Sequence, residues 1–314
     1  MQKLNNQLLR AARFETTSAE EVFRLLGSGA QLHARDQRGW TSLHNAAACG
    51  NKDVVTALLQ RGADQRALNR NGLPPLGTAA YAGQPGTARI LLEALPDLNA
   101  ALDGDLTTGY MYAALTGVVE ILAIPAFLST GVYTYNDHGQ TPLHFAAEGG
   151  HVDAARVLID AGAAIDASDQ TDIPPLWHAV AGGHCDMIEY LLDQGADIQH
   201  RDTYERNALH FALQFQQADA MRCLLSNLAD FNAKDIDCRS LLHYAAFLKN
   251  AEALEMILQE AVRPSPLDAW GQTPMDYAVS NQDAAAVALL SRYGAKKSIF
   301  NYRERCVIFR PLGG

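Results

Sequence analysis

Around residue 143 the apolar positions recur with the period of a helix. Leu143, Ala146 and Ala147 share one face, and the two alanines are small enough for close helix approach. Thr141 is placed to cap that helix by accepting a backbone N–H bond, and Pro142 suits its first position, where no N–H partner exists. Gly150 ends it. His151 to Asp160 then form a second helix with Val152, Ala155, Val157, Leu158 and Ile159 as its apolar set, and Gly162 stops it at a left-handed position. The polar run Asp166–Asp172 is an exposed turn. The unit is thus helix, turn, helix and projecting loop. Neither helix can bury its face alone, so such units must stack.

The same pattern returns along the chain. Thr141-Pro142-Leu143-His144-Phe145-Ala146-Ala147 has a near copy at Thr41-Ser42-Leu43-His44-Asn45-Ala46-Ala47. Decayed copies begin at Pro74, Thr108, Pro174, Asn207, Ser240 and Thr273, so every step is 33 residues except one of 34. A second phrase keeps this register: Leu58-Leu59-Gln60-Arg61-Gly62-Ala63-Asp64 returns from Leu158, Leu191 and Leu224.

At these residues the chain resembles the ankyrin-repeat family, whose signature is a T-P-L-H-x-A phrase in a 33-residue unit. The resemblance implies an all-α solenoid of helix-turn-helix units with projecting loops, about nine units over residues 3–295. Residues 3–34 keep only the second phrase and act as a degenerate N-terminal cap. Residues 268–295 form the C-terminal cap, with Asp276 where His stands elsewhere. The fourth unit, about 103–134, is irregular: Met111 replaces the His and Pro125 falls inside the second helix. An internal proline costs ~3 kcal/mol, so that helix is expected to break near Ile124.

Composition narrows the function. Lys+Arg 25 against Asp+Glu 35 gives −10 and a pI near 5.4, which argues against a sequence-independent nucleic-acid binder. No apolar run approaches a membrane span, and the N-terminus has no signal-peptide core. A cytoplasmic location is expected, with a nuclear or exported-effector one as the alternative. Cys49, Cys185, Cys223, Cys238 and Cys306 follow no metal or disulfide spacing, so they are expected to be reduced thiols, most of them small core residues. Residues 296–314 form a basic, apolar tail of net +4, leaving −14 on residues 1–295.

The candidate chemistry is structural. His44, His144, His210 and His243 occupy one repeat position, where the family resemblance implies a hydrogen bond tying adjacent turns. His151 and His184 both open second helices. No phosphate-binding glycine loop, catalytic triad or metal-ligand spacing is present, so no enzyme activity, cofactor or metal is expected. Paired carboxylates such as Asp235 and Asp237 are expected to be solvated at loop tips.

Surface remains. In ankyrin-like stacks the loop tips and the exposed side of the first helices form a concave binding face. Carried over unit by unit, that face holds Arg38, Trp40, Arg70, Tyr81, Tyr135 and His138, then Arg201, Tyr204, Phe215, Ile236, Phe247 and Trp270. Aromatic and arginine side chains are the usual hot-spot material; of the set, Trp40 and Phe247 are expected to pack on a neighbouring tip. The expected function is non-catalytic recognition of a protein partner by a chain monomeric on its own, as adaptor, scaffold or inhibitor. The alternatives are an enzyme or small-molecule binder with a pocket near the fourth unit, and a pathogen effector engaging a host protein.

Overall fold

The computed structural model describes residues 1–260 and 263–298. These form nineteen α-helices and no strand; two isolated bridges join Ala101 to Thr108 and Lys234 to Ser240. The chain divides into two compact units, Met1–Asp169 and Gln170–Gly314. No helix among the described residues is long and apolar enough to cross a membrane.

The first unit runs α1 (Gln2–Ala11), α2 (Ala19–Gly27), α3 (Ser42–Ala48), α4 (Lys52–Gln60), α5 (Pro75–Tyr81) and α6 (Pro85–Glu93). It continues with α7 (Gly109–Thr116), α8 (Val119–Leu122), α9 (Pro125–Gly131), α10 (Pro142–Gly149) and α11 (Val152–Asp160). The first helices of the pairs pack in the row α1, α3, α5, α7, α10, and the second helices in the row α2, α4, α6, α8, α11. The second unit repeats this with α12 (Pro175–Gly182), α14 (Ala208–Gln214), α16 (Leu241–Phe247) and α18 (Pro274–Ser280) in one row. Its other row is α13 (Cys185–Asp193), α15 (Ala218–Ser226), α17 (Ala251–Gln259) and α19 (Ala284–Arg292).

The first helices are the core. Leu143, Ala146 and Ala147 are fully buried, as are Leu43, Ala46 and Ala47. Backbones approach closely enough that a Cβ on Gly149 would collide with the Leu115 carbonyl oxygen. The second helices bury a narrower stripe. In α11 it is Ala154, Ala155 and Leu158, while Val152, Val157 and Ile159 are only half-buried. Ala154 replaces them because a short helix packed on one side turns few positions fully inward.

The shared histidine bridges to the next repeat at His44 and His243. Thr41 N–H donates to His44 Nδ1 at 3.2 Å, which places the ring proton on Nε2, 3.1 Å from the Leu73 carbonyl of the next repeat. His243 repeats this with Ser240 N–H at 3.0 Å and the Gln272 carbonyl at 3.1 Å. In the last pair Asp276 takes over the cap, accepting from Thr273 N–H and Oγ1–H, both at 2.8 Å. The chain then returns across this pair: Ser298 N–H donates to Asp276 Oδ2 at 3.0 Å and Lys296 N–H to Ser265 Oγ at 2.7 Å. Beyond Ser298 the tail, with Cys306, lies outside the described residues.

The fourth pair breaks just before its proline. The helix α8 stops at Leu122, Ile124 is extended with ψ 117°, and Pro125 opens α9 as its first residue. Two cysteine expectations part company. All four described cysteines are free, but only Cys223 is buried; Cys49 and Cys185 are half-buried and Cys238 is exposed. Cys238 stands at a loop-tip position with φ 58°.

Candidate functional site

Each projecting loop is built around one Asp or Asn. The series is Asp36, Asn69, Asp103, Asn136, Asp169, Asp202, Asp235 and Asp268. In the second unit Asp202 Oδ1 accepts the N–H groups of Tyr204 and Arg206, both at 2.9 Å, and Asp268 Oδ1 accepts those of Trp270 and Gln272. The same pair of bonds forms at Asp36, Asn69, Asp103 and Asn136 in the first unit. Such side-chain-to-backbone bonds hold a turn without help from a sheet.

Neighbouring tips are stitched by their backbones. Arg70 N–H donates to the Arg38 carbonyl at 3.0 Å and Asp137 N–H to that of Asp105 at 2.8 Å. In the second unit Ile236 N–H reaches the Tyr204 carbonyl and Ala269 N–H the Asp237 carbonyl, both at 2.9 Å. The residue three places after the tip Asp or Asn has positive φ. It is glycine at 39, 72, 139 and 271, but Leu106, Asp172, Glu205 and Cys238 adopt φ 59°, 61°, 60° and 58°. That conformation costs a non-glycine residue of order 1 kcal/mol, and the tip hydrogen bonds hold it there.

The remaining tip oxygen is also used. Tyr112, Tyr244 and Tyr277, each nine residues after a tip Asp, donate their hydroxyls to Asp103, Asp235 and Asp268 at 2.7, 2.8 and 2.8 Å. Asp235 is therefore buried rather than solvated, and burial raises its pKa. Asp237 does stand partly open, bonded to Arg239 at 2.9 Å. The expectation of two solvated carboxylates fails for Asp235 because the Tyr244 hydroxyl and two backbone N–H groups replace its water. Sequence held the signal for this: a Tyr in the fifth position of the T-P-L-H-x-A phrase always follows a tip Asp by nine.

On this scaffold the aromatic tip residues are braced by cations. Arg38 lies 4.5 Å from the centre of the Trp40 ring, Arg206 4.6 Å from Tyr204 and Arg239 4.7 Å from Trp270. Arg38 and Tyr204 are both two residues past their tip Asp, Trp40 and Arg206 both four past, so cation and ring have exchanged places between the two loops. Arg206 is itself buried and pairs with Asp202 at 2.6 Å. Arg239 is buried against Asp237 and the Tyr277 hydroxyl. Neither arginine was singled out from sequence, because burial of a charged tip residue depends on the next loop covering it.

The other expected residues fall into distinct settings. In the first unit Arg38, Arg70, Tyr81, Tyr135 and His138 are exposed and Trp40 is half-buried; Tyr135 is 71% exposed, so it projects without a brace. His138 Nε2 stands 3.9 Å from Asp105. In the second unit Arg201 is half-buried and paired with Asp230 at 3.0 Å. Phe215 lies against Phe211 and Phe247 against Tyr277, while Ile236 is exposed beside Tyr204. The structure brings together Arg38, Trp40 and Arg70 in one cluster and Tyr204 with Ile236 in another.

A family model of ankyrin repeats, in three copies, matches residues 8–102, 96–169 and 164–235, well over half of the chain. The chain belongs to the ankyrin-repeat family. Ankyrin repeats are a general protein–protein interaction module, and no catalytic family is indicated. The array is 34% identical over 157 residues to human neurogenic locus notch homolog protein 2, covering 49% of this chain and 6% of that protein. It is 34% identical over 152 residues to notch homolog protein 1 of Xenopus tropicalis, 48% of this chain and 6% of that one. With notch homolog protein 1 of Mus musculus the identity is 36% over 137 residues, 43% of this chain and 5% of that protein. This ankyrin chain therefore spans only a small part of the curated relatives it matches. Among the described residues no group of three or more His, Cys, Asp or Glu is placed to hold a metal ion.

Proposed function

We propose that this ankyrin chain is a non-catalytic adaptor, scaffold or inhibitor that captures a protein partner on its loop tips. The observation that carries the reading is the arginine-braced aromatic: Trp40, Tyr204 and Trp270 are half-buried rings, each held by a guanidinium on a hydrogen-bonded turn. A ring fixed before binding loses little freedom on contact, which is how a small number of residues come to dominate an interface. Arg38, Arg70, Tyr81, Tyr135 and His138 extend this set in the first unit, and Arg201, Phe215, Ile236 and Phe247 in the second.

The test uses the full chain as bait under reductant, with Tyr204→Ala, Trp270→Ala and Glu189→Ala as parallel baits. Glu189 is exposed on the second helix α13, away from the tips. A partner captured by the native chain and by Glu189→Ala, but lost with either aromatic variant, supports the reading. A partner lost with Glu189→Ala and retained by both aromatic variants overturns it.

A further inference from the structure

Four loops carry an aspartate just after the second helix: Asp64, Asp97, Asp197 and Asp230. Each turns its loop, Oδ1 accepting the N–H two residues on, from Arg66, Asn99, Gln199 and Asn232 at 2.8–3.0 Å. In the loop after α17 the 33-residue register puts Arg263 at that position, followed by Pro264-Ser265-Pro266. The charge of the repeat is inverted there.

Arg263 opens onto a cleft of about 650 Å³ between this loop and the one before it. Its polar wall is Asn232, Lys234, Ser265 and Arg263, with the Ser240 hydroxyl already bonded to His243 Nδ1 at 3.0 Å. Phe231, Pro266 and Leu267 form the apolar wall, and among the described residues no carboxylate lines the cleft. Lys234 Nζ makes one long contact, 3.5 Å to the Leu267 carbonyl, and neither Lys234 nor Arg263 forms an ion pair among the described residues. Ser265 Oγ accepts the Lys296 N–H, which leaves its own proton to donate. The smaller cleft of about 150 Å³ in the same unit differs, since Arg206 and Arg239 line it together with Asp235 and Asp237. There the cations are neutralised in place.

We propose that the larger cleft binds a phosphoryl group attached to an apolar portion. Two uncompensated cations favour a dianion over a monoanion, and an arginine fork beside a hydroxyl and an amide matches three terminal oxygens. The phosphoryl group fills only part of the volume, and the wall of Phe231, Pro266 and Leu267 takes the rest of the ligand. This site is independent of the aromatic tips and stands whether or not they bind a protein.

The experiment is calorimetric titration of the full chain with phenyl phosphate, inorganic phosphate and benzoate at constant ionic strength. Phenyl phosphate should saturate one site per chain and bind more tightly than either of the others. Arg263→Asp restores the residue that four other loops carry, so it should keep the native melting temperature and weaken phenyl phosphate by at least about tenfold. Lys234→Ala should weaken it by a similar factor and serves as the reading should Arg263→Asp melt abnormally. Arg66→Ala, exposed in the first unit, should leave it unchanged. A phosphoserine peptide that binds more tightly than phenyl phosphate assigns the phosphoryl group to a protein, and the reverse assigns it to a small ligand; either supports the site. No saturation at millimolar phenyl phosphate, equal binding of benzoate, or full affinity in both cleft variants overturns it.

Discussion

The fourth and fifth helix pairs occupy adjacent places in the same unit and solve the same packing problem differently. The fifth, α10 and α11, keeps the full T-P-L-H-x-A phrase, with His144 buried at the capping position and Thr141 bonded to its ring at 2.9 and 3.0 Å. The fourth has Met111 there, fully buried and unable to bridge to the next turn. Two tyrosines tie this pair at other points: Tyr110 donates to the Leu122 carbonyl at 3.0 Å and Tyr112 to Asp103 at 2.7 Å. Tyr110 thereby holds the last turn of α8 just before the break. A repeat that has lost its signature histidine can still be tied by other buried hydrogen bonds, so a decayed phrase does not by itself mean a weak unit.

Acidification should break that comparison most strongly. Burial pushes His44 down to about 4, His210 to about 3 and His243 to about 4, so all three are neutral in the folded chain. The unfolded chain binds these protons near pH 6.5 and the folded chain does not, so stability is complete above that pH and falls toward pH 4. At pH 5 each histidine should remove ~2 kcal/mol, whereas Met111 has no proton to take up. Hydrogen exchange, corrected for intrinsic rates, should show pairs containing His44, His210 and His243 losing protection between pH 7 and pH 5 relative to α7 and α8. Equal losses in every pair would remove the histidine brace from the account.

Next in size is the core of the intact pair. Leu143 is fully buried, and Leu143→Ala should cost about 2–5 kcal/mol in urea unfolding through the cavity it leaves. A change below about 1 kcal/mol would mean that α10 collapses to fill the space, against the tight spacing seen at Gly149.

How far the primary sequence discloses this architecture differs between core and tip. The 33-residue beat, the cap at Thr141, the left-handed Gly150 and the break before Pro125 are local, since each depends on a few successive residues. Loop tips are not local. Whether Asp235 is solvated depends on Tyr244, nine residues on, and on the next loop arriving over Arg239. The cation–ring pairs escape sequence reading for the same reason, because Arg38–Trp40 and Tyr204–Arg206 carry the two partners in opposite order. Arg263 was readable by alignment to Asp230, but its consequence needed the cleft. For the braced tips the comparison sharpens into a binding measurement: with a partner in hand, Tyr204→Ala or Trp270→Ala should weaken affinity by about 2 kcal/mol while the melting temperature barely moves. The unbraced Tyr135 should cost less, because an exposed ring must be ordered on binding.

The smallest effect tests why the fourth pair breaks. Pro125 sits at the first position of α9, where its missing N–H is not needed and its fixed φ is already helical. If proline alone imposes the break, Pro125→Ala should let α8 run on through Ile124, raising helicity by circular dichroism and protecting the Ile124 amide. The packing argues otherwise. Tyr110 holds the Leu122 carbonyl, and its ring lies against Gly131 so closely that a Cβ there would stand 2.8 Å away. Both ends of the segment are thus fixed to one side chain. Pro125→Ala should therefore leave helicity unchanged and cost only about 0.4–1 kcal/mol, through the added freedom of the unfolded chain. Tyr110→Phe combined with Pro125→Ala separates the causes, since releasing Leu122 should then permit the continuous helix. A rise in helicity with Pro125→Ala alone would assign the break to proline and leave the tyrosine clamp a passenger.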